Sequence, residues 1–497
     1  MTRYSLVSKS HIQELTSRIQ ELYLSDEIPW IVGYSGGKDS SATLQLVWYA
    51  ILQIPLEQRN HKPIYVISTD TLVEQPIVAA WVNRSLKSMG KRAEEGNLPF
   101  KPYRLTPIIA NSYWVNLIGR GYPAPRQGFR WCTSRLKIDP ANRFIMDMVK
   151  RYGETILVLG TRKAESASRA ATMNRYERNR HRDWLSPNGS LSNSWVFSPI
   201  EDWTSDDVWM YLMQIPNPWG MSNKELMAMY REATADNECP LVVDTTTPSC
   251  GNSRFGCWVC TLVSYDKSME AMIQNDDEKV WMTPLLEFRN EIGRLNEKGR
   301  IDDHEYRDFR RMNGSIKLYE SDNRPIPGPY TKDRRAYLLR RLLETQHEVE
   351  LLMPSEMESI ELITLEELRE IRRIWIEDKN EFDDKVPAIY KDVMGKDWIE
   401  PIALSNFGEK EWKLLTQLTE NDPVLMDLCA SLIMLEERDS LLRGKRSMVD
   451  EIEGHIRRCY YDDENDAASF KQRQVELKEL SLEQLDSINL EDGSYTP

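Results

Sequence analysis

A short polar loop with two adjacent glycines carries the strongest chemical signal in the sequence. It reads SGGKDS over residues 35–40 and follows the apolar run IPWIVGY. Adjacent glycines let the backbone approach a ligand without interference from Cβ atoms, so successive N–H groups and the start of the next helix can point at phosphate oxygens. Lys38 adds a full positive charge, and the spacing differs from the Walker A pattern G-x-x-x-x-G-K-[ST]. We therefore expect phosphate binding by Ser35, Gly36, Gly37, Lys38, Asp39 and Ser40.

Strands that alternate with helices are expected to position this loop. Apolar runs at 28–34, 63–69 and 155–160 predict strands, and each is followed by a polar loop and a segment with helical character. This alternation predicts an α/β fold with a doubly wound, mostly parallel sheet, whose ligands bind at the carboxyl ends of the strands. A capped helix is also predicted at WTSDDVWMYLMQI, with Thr204 or Ser205 as the N-cap.

Four motifs in chain order resemble those of the PP-loop ATP pyrophosphatases. Beside SGGKDS they are STDTLVE (68–74), LGTRKAESASR (159–169) and SPIEDWTSDDVWMYL (198–212), and they are most similar to the phosphoadenylyl-sulfate reductase branch. Enzymes of this superfamily cleave ATP between the α and β phosphates and adenylate a substrate. The resemblance implies an adenine nucleotide α-hydrolase-like fold, ATP and Mg²⁺ as cofactors, and further nucleotide contacts from Asp70, Glu74, Gly160, Arg162, Glu165 and Arg169.

Several of these residues have a second interpretation. Asp39 could hold Mg²⁺ or cap the following helix, Asp70 could be a turn former, and Arg162 could be a surface cation. In the catalytic interpretation, Lys38 and the loop amides stabilise the departing pyrophosphate, while Arg162 and Arg169 clamp phosphate through their guanidinium forks.

Cysteines form the second chemical signal. Cys250, Cys257 and Cys260 crowd into one loop and Cys132 lies in RWCTSRLK, which gives four thiolates suited to iron–sulfur or zinc. Iron–sulfur members of the reductase branch divide their ligands in a similar way, so the resemblance implies a [4Fe-4S] cluster, with zinc as the alternative. Cys239 could replace Cys132 as a ligand, carry sulfur as a catalytic thiol, or be a small buried residue. We interpret Cys429 and Cys459 as packing residues.

One departure separates the chain from the sulfonucleotide reductases. Those enzymes carry a nucleophilic cysteine in a short C-terminal tail, and no cysteine follows Cys459 here. The whole pattern, including the segment 239–261 and an acidic helical extension, resembles the DndC family, the sulfurtransferase subunits of bacterial DNA phosphorothioation. This resemblance implies adenylation of a DNA phosphate, sulfur from a cysteine desulfurase, and a complex with other Dnd subunits. An adenylyl sulfate reductase and a non-catalytic, nucleotide-binding scaffold of a DNA defence complex are the alternatives.

Charge is distributed unevenly along the chain. Residues 351–497 hold 18 Lys and Arg against 35 Asp and Glu, whereas residues 101–182 hold 17 against 5, enough positive charge to attract a polyphosphate. Within the basic stretch, the run RYERNRHRD supplies the best candidates for contacts to the DNA backbone, with a solvated loop face as the alternative. These candidates are Arg175, Arg178, Arg180 and Arg182.

The predicted domain order is a PP-loop α/β domain (1–235), a cysteine-rich loop (236–265), a helical segment and linker (266–330) and an acidic helical domain (331–497). The Pro/Gly-rich stretch 324–333 is the predicted linker. The chain of 497 residues with 41% hydrophobic residues is too large and too apolar for a disulfide-stapled peptide or a disordered protein. No apolar run approaches the roughly 18 residues of a spanning helix and the start lacks a signal peptide, so we expect a cytoplasmic protein with no membrane partner.

Overall fold

The computed structural model describes residues 7–178, 183–234, 255–319 and 324–398, apart from 358, 380 and 382, and most of residues 409–477. Four predicted site residues lie outside this described part: Arg180, Arg182, Cys239 and Cys250. The chain divides into two compact units. The first comprises Met1–Tyr113, Pro125–Gly293 and Glu348–Leu362, and the second comprises Trp114–Ala124, Arg294–His347 and Ile363–Pro497.

A single six-stranded sheet is present among the described residues, and it lies in the first unit. Its strands are β1 (Trp30–Gly33), β2 (Ile64–Thr69), β3 (Phe100–Leu105), β4 (Thr155–Val158), β5 (Ser186–Pro187) and β6 (Ser194–Phe197). The spatial order is β3-β2-β1-β4-β6-β5, and every neighbouring pair is parallel except β5 with β6. The order reverses between β1 and β4, which is the switch point where open α/β sheets bind ligands. The predicted doubly wound, mostly parallel sheet is confirmed.

Helices connect and cover these strands. In chain order they are α1 (Lys9–Leu24), α2 (Lys38–Leu52), α3 (Leu56–Arg59), α4 (Pro76–Glu95), α5 (Asp139–Tyr152), α6 (Ala167–Glu177), α7 (Ser205–Gln214), α8 (Asn223–Glu232), α9 (Lys267–Asn275) and α10 (Thr283–Ile292). Helix α2 is apolar on nearly every side and is accordingly buried along most of its length. Trp48 on this helix stacks on Phe100 of β3, with ring centroids 4.1 Å apart, so α2 is fixed firmly against the core.

The C-terminal part of the chain is helical, as predicted. Its helices are α11 (Lys332–Leu352), α12 (Leu365–Arg373), α13 (Lys385–Met394), α14 (Glu409–Leu418) and α15 (Pro423–Leu441). No helix in the part of the chain that the structure describes has both the length and the apolar character needed to cross a membrane.

The Pro/Gly-rich stretch 324–333, predicted as the linker, is packed around Tyr330. Tyr330 is buried, its hydroxyl donates to Asp303 Oδ2 at 3.1 Å, and it accepts the N–H of Ala124 at 3.0 Å. These bonds hold the stretch inside the second unit. The two units are each built from separate stretches of sequence, which a division into consecutive segments does not describe. The predicted domain boundaries stay predictions.

Candidate functional site

The loop after β1 has a backbone that only glycine fits at its second position. Gly36 has a φ of +75°, and a Cβ there would lie 2.5 Å from Val82 Cγ2. Its carbonyl accepts a hydrogen bond from Trp81 Nε1 at 3.1 Å. Helix α4 therefore supports the loop from behind and sets its path toward α2.

Helix α2 begins inside this loop, at Lys38, with Gly37 as the N-cap and no side-chain cap. Gly37 has no side chain to cap the first N–H groups, which, with the helix dipole, favour an anion. Ser40 fixes the turn, because its hydroxyl donates to Gly37 O at 3.0 Å and accepts the N–H of Ser35 at 3.2 Å. This is the backbone geometry of a phosphate-binding loop.

Asp39 lies between two cations. Its Oδ1 accepts from Arg162 Nε at 2.7 Å, and its Oδ2 lies 3.5 Å from Lys38 Nζ. Arg162 is only 4% exposed and also donates from Nη1 to Trp203 O at 3.3 Å, so the interpretation as a surface cation is wrong. Asp39 does not cap α2, whose N-cap is Gly37.

The loop after β4 packs directly on the start of α2. A Cβ at Gly160 would lie 2.7 Å from the carbonyl oxygen of Asp39, so only glycine allows this approach. Two residues further on, Arg162 enters the space beside Asp39. Gly160 therefore acts through backbone contact, which lets the two loops share one cavity.

A cavity of about 830 Å³ opens above these loops. This volume lies within the range of about 300–1,000 Å³ that is typical of small-molecule sites. Most of the predicted nucleotide contacts line it, namely Ser35, Gly37, Lys38, Asp39, Glu74, Arg162, Glu165 and Arg169. Sequence reasoning did not assign Lys137, Tyr230 and Phe255 to the site, although they also line it. These three residues are far from the loop in sequence, so no local motif connects them with it.

Tyr230 contributes an aromatic wall beside the phosphate loop. Lys38 Nζ lies 5.3 Å from the centre of its ring, and the Tyr230 hydroxyl accepts the N–H of Lys38 at 3.4 Å. Phe255 meets the same ring edge to face, with centroids 4.7 Å apart. These contacts orient the lysine ammonium at the cavity wall.

Asp70 is placed differently from Glu74, although both follow β2. The Asp70 carboxylate is ion-paired with Arg104 and accepts the N–H of Leu72 at 3.0 Å, which is the turn-forming role. It does not line the cavity, whereas Glu74 does. Burial raises the pKa of Glu74 to about 7, and the neighbouring Lys137 ammonium opposes this rise.

Helix α6 begins at the edge of the cavity. Its N-cap Ser166 accepts the N–H of Arg169 at 3.1 Å, and Arg169 forms an ion pair with Glu165. Of the predicted DNA contacts, Arg175 and Arg178 lie exposed at the other end of this helix. Arg180 and Arg182 lie outside the described residues, so the proposed basic run stays a prediction.

The segment that contains Cys257 is bonded directly to the loop after β2. Gln75 N–H donates to Gly256 O at 3.2 Å, and Trp258 N–H donates to Val73 O at 3.0 Å. The Cys257 thiol lies 3.4 Å from the Thr71 hydroxyl, and burial raises its pKa to about 11. A buried thiol is therefore held against the loop that carries Glu74, next to Gly256, which lines the cavity.

Two further cysteines lie near Cys257. Burial raises the pKa of Cys132, whose thiol is close enough to Cys260 for the two to interact electrostatically. Arg289 holds the turn at Cys260: it is 1% exposed and donates from Nε and Nη2 to Cys260 O at 3.0 and 2.8 Å. No group of three or more metal-binding side chains is gathered among the described residues. Since Cys250 lies outside them, the predicted cluster stays a prediction.

Comparisons with known structures give partial likenesses. Phosphoadenylyl-sulfate reductase from Candida auris is 14% identical and covers 43% of this chain and 90% of its own, with a TM-score of 0.25. The U34-tRNA thiolase NcsA from Methanococcus maripaludis, solved with its [4Fe-4S] cluster, is 16% identical and covers 44% of this chain and 72% of its own, also with a TM-score of 0.25.

Sequence comparison gives a more direct result. The protein MJ0066 of Methanocaldococcus jannaschii is 29% identical over 202 residues, which is 40% of this chain, and the match spans about a third (35%) of the length of that relative. The family profile of the phosphoadenosine phosphosulfate reductase domain matches residues 29–262. These residues include the sheet, the phosphate-binding loop and the cysteine segment. The part of the chain that builds the cavity is therefore similar to a phosphoadenosine phosphosulfate reductase domain.

Proposed function

We propose that this protein is an ATP pyrophosphatase and sulfurtransferase that adenylates a DNA phosphodiester and helps to replace one of its oxygens by sulfur. The observation that supports the proposal is the direct bonding between the Cys257 segment and the loop at 71–75, because the buried thiol then lies one residue from Gly256, which lines the cavity. Sulfur transfer to an activated phosphate requires this proximity of sulfur and nucleotide.

The first step needs only phosphate chemistry. A non-bridging oxygen of the acceptor phosphate attacks the α-phosphorus of ATP, and the bond to the β-phosphate breaks to release pyrophosphate. Lys38 and the N–H groups at the start of α2 stabilise the charge that builds on the leaving group. Phosphate oxygens are already ionised at neutral pH, so this attack requires no general base. We propose that Mg²⁺ enters with ATP as the magnesium nucleotide, because Asp39 is already ion-paired.

The second step transfers sulfur. A sulfur nucleophile at the oxidation level of sulfide attacks the adenylated phosphorus, a P–S bond forms, and AMP leaves with its oxygen. No electrons are exchanged in this displacement. A cysteine desulfurase is proposed as the original sulfur source; it delivers sulfur as a persulfide, which a dithiol reduces to the level of sulfide while the dithiol is oxidised to a disulfide. Other Dnd subunits are proposed to complete the complex. Cys239 and a [4Fe-4S] cluster held by Cys132, Cys250, Cys257 and Cys260 are the proposed sulfur-handling groups of this chain.

The main alternative is an adenylyl sulfate reductase, which the match to the phosphoadenosine phosphosulfate reductase domain favours. The two functions use the same phosphate loop but different substrates. A reductase would convert adenylyl sulfate and a thiol donor into sulfite. The proposed sulfurtransferase would convert ATP, DNA and a sulfur donor into pyrophosphate and a DNA phosphorothioate.

Release of pyrophosphate is the direct test. With ATP, Mg²⁺, DNA and sulfide, the wild-type protein should release pyrophosphate, and Lys38→Ala should reduce the rate by about 100-fold or more because the leaving-group charge is no longer stabilised. Lys150→Ala is a matched control, since Lys150 is an exposed lysine on α5. Equal rates for wild type and Lys38→Ala would defeat the proposal.

The cluster has its own test. Protein isolated without oxygen should contain iron and acid-labile sulfide, and Cys257→Ser should lose both because a thiolate ligand is removed. Cys429→Ser is the matched control, since Cys429 lies on α15, away from the candidate ligands in sequence. Stoichiometric zinc in place of iron would contradict the cluster assignment.

A further inference from the structure

A second, smaller cavity lies beneath α6. Its volume is about 270 Å³, just under the roughly 300 Å³ at which small-molecule sites begin. One wall is the inner face of α6, which presents Arg169, Thr172, Met173 and Tyr176 at helical spacing. Helix α6 has no fully buried residue, so this face covers open space instead of core.

The opposite wall comes from the end of the sheet. It combines apolar surface from Leu159, Pro187 and Val196 with the hydroxyls of Thr161 and Ser198, which bond each other at 2.8 Å. Apolar walls with a few polar groups at the edge are typical of sites for flat, partly polar ligands.

An aromatic ring closes one end of this cavity. Tyr176 lies directly over Gly189, where a Cβ would collide with the tyrosine hydroxyl. The guanidinium of Arg175 lies over the same ring, 5.1 Å from its centre. The absence of a side chain at Gly189 therefore keeps the ring in place at the cavity edge.

Arg169 connects the two cavities, because it lines both. A ligand that reaches from one cavity into the other must therefore carry a phosphate or similar anion next to a flat and mainly apolar group. That is the chemistry of a nucleotide unit. The larger cavity, at about 830 Å³, can hold a whole ATP, so the group in the smaller cavity belongs to the second substrate.

We infer that the cavity beneath α6 receives an unstacked base of the DNA acceptor, while the adjoining phosphate is held at Arg169. This inference rests on the proposed function and specifies how its substrate is presented. Extrusion takes the base out of the stack and into a pocket, which anchors the nucleotide so that the adjoining surface phosphate is held in one position beside Arg169. Stacking on Tyr176 and contact with apolar walls tolerate any base, so this site positions the acceptor without choosing the sequence.

The test compares two oligonucleotides that differ only in their bases. In the absence of ATP, wild-type protein should bind a ten-residue oligothymidylate about tenfold or more tightly than a fully abasic strand of equal length. The abasic strand lacks the stacking of a base on Tyr176, and tenfold corresponds to about 1.4 kcal/mol. Met173→Trp fills the cavity and should bring this ratio close to one. Asn174→Trp places the same ring on the exposed face of α6 and should leave the ratio of the two affinities at its wild-type value.

A second variant protects the test against misfolding. Tyr176→Leu removes the ring but preserves most of the volume, and should lower the ratio to a smaller extent. An unchanged ratio in folded Met173→Trp and Tyr176→Leu would overturn the inference, as would saturable binding of free AMP that Met173→Trp abolishes while the oligonucleotide ratio is kept. Because ATP is absent, loss of base discrimination and loss of pyrophosphate release are independent failures.

Discussion

Two arginines of equal burial serve different purposes in the two compact units. Arg162 is 4% exposed and Arg335 is 3% exposed, and each is paired with a carboxylate. Arg335 uses both terminal nitrogens on Glu381 and its Nε on the carbonyl of Tyr330. Arg162 uses Nε and Nη1, and its Nη2 has no partner among the described residues.

The two arginines differ in how many of their guanidinium nitrogens are hydrogen-bonded, and not in how deeply they are buried. All three guanidinium nitrogens of Arg335 are bonded within the second unit, so this pair fastens the fold and offers little to a ligand. Asp39 is shared between Arg162 and Lys38 at the wall of a cavity, which leaves donor capacity for a phosphate. A buried ion pair therefore indicates a binding site when a guanidinium nitrogen has no acceptor among the described residues and the pair borders a cavity.

The largest effect is expected in the second unit. Arg335→Met should lower the free energy of unfolding by about 3–5 kcal/mol, because Glu381 is left as a buried and unpaired charge. Chemical denaturation monitored by tryptophan fluorescence measures this loss. Arg340→Met is the matched control, since its pair with Asp392 is exposed and should contribute less than about 1 kcal/mol. Similar losses of stability in Arg335→Met and Arg340→Met would mean that burial of the ion pair does not determine its contribution.

Arg162→Met should affect the reaction more than the fold. Removal of its guanidinium should slow pyrophosphate release by about 100- to 1,000-fold, which corresponds to about 2.7–4 kcal/mol in the barrier. Asp39 keeps Lys38 as a partner, so the loss of stability should be smaller than for Arg335→Met. Rates of pyrophosphate release per folded molecule separate the two effects. If Arg162→Met were less stable but released pyrophosphate at the wild-type rate per folded molecule, Arg162 would stabilise the fold without acting in the reaction.

Sequence reasoning succeeded where the signal is local. The strand, loop and helix around SGGKDS are present, and the Thr204 cap opens α7 as predicted. Helix α2 begins inside the loop, at Lys38, because Gly37 serves as the N-cap. The edge strand β3 was missed because its sequence FKPYRL contains a proline and little apolar patterning, which an edge position tolerates.

Contacts between distant residues explain the remaining differences. Arg162 reaches Asp39 across 123 positions, and Cys257 reaches Thr71 across 186. No periodicity or short motif encodes such a pairing, since it depends on how the whole sheet brings its loops together. The same holds for the ion pair between Asp70 and Arg104, which removes Asp70 from the cavity lining although its motif resembles a nucleotide-binding one.

A backbone change at the phosphate loop should have an intermediate effect. Gly36→Ala should destabilise the fold by about 1–3 kcal/mol and weaken ATP binding, because its φ is positive and the new Cβ would clash with Val82. Gly128 also has a positive φ, +82°, but a Cβ there meets nothing within 4 Å. Gly128→Ala is therefore the matched control, because it introduces the backbone strain of a positive φ without a steric clash. Thermal unfolding and calorimetry with ATP measure both consequences. Equal ATP affinity in wild type and Gly36→Ala would argue against binding at this loop.

The smallest effect concerns two helix caps of the same chemistry. Thr204 and Asp207 form a capping box at the start of α7, and Thr364 and Glu367 form one at the start of α12. Thr204→Ala and Thr364→Ala should each cost about 1 kcal/mol of stability, because one N–H of the first turn loses its partner. Only Thr204 lines the cavity, so only its loss should also weaken ATP binding.

Restoring the hydroxyl separates the two consequences. Thr204→Ser keeps the cap and should recover both stability and ATP affinity. Thr204→Asp keeps an acceptor for the first turn but sets a carboxylate against Asp207 Oδ2, which accepts the Thr204 hydroxyl at 2.7 Å, so it should recover stability only in part, and its negative charge at the cavity wall should weaken ATP binding. Thr364→Asp should be indistinguishable from wild type in ATP affinity. If Thr204→Asp bound ATP as tightly as wild type, the charge of the ligand at this end of the cavity could not be that of a phosphate.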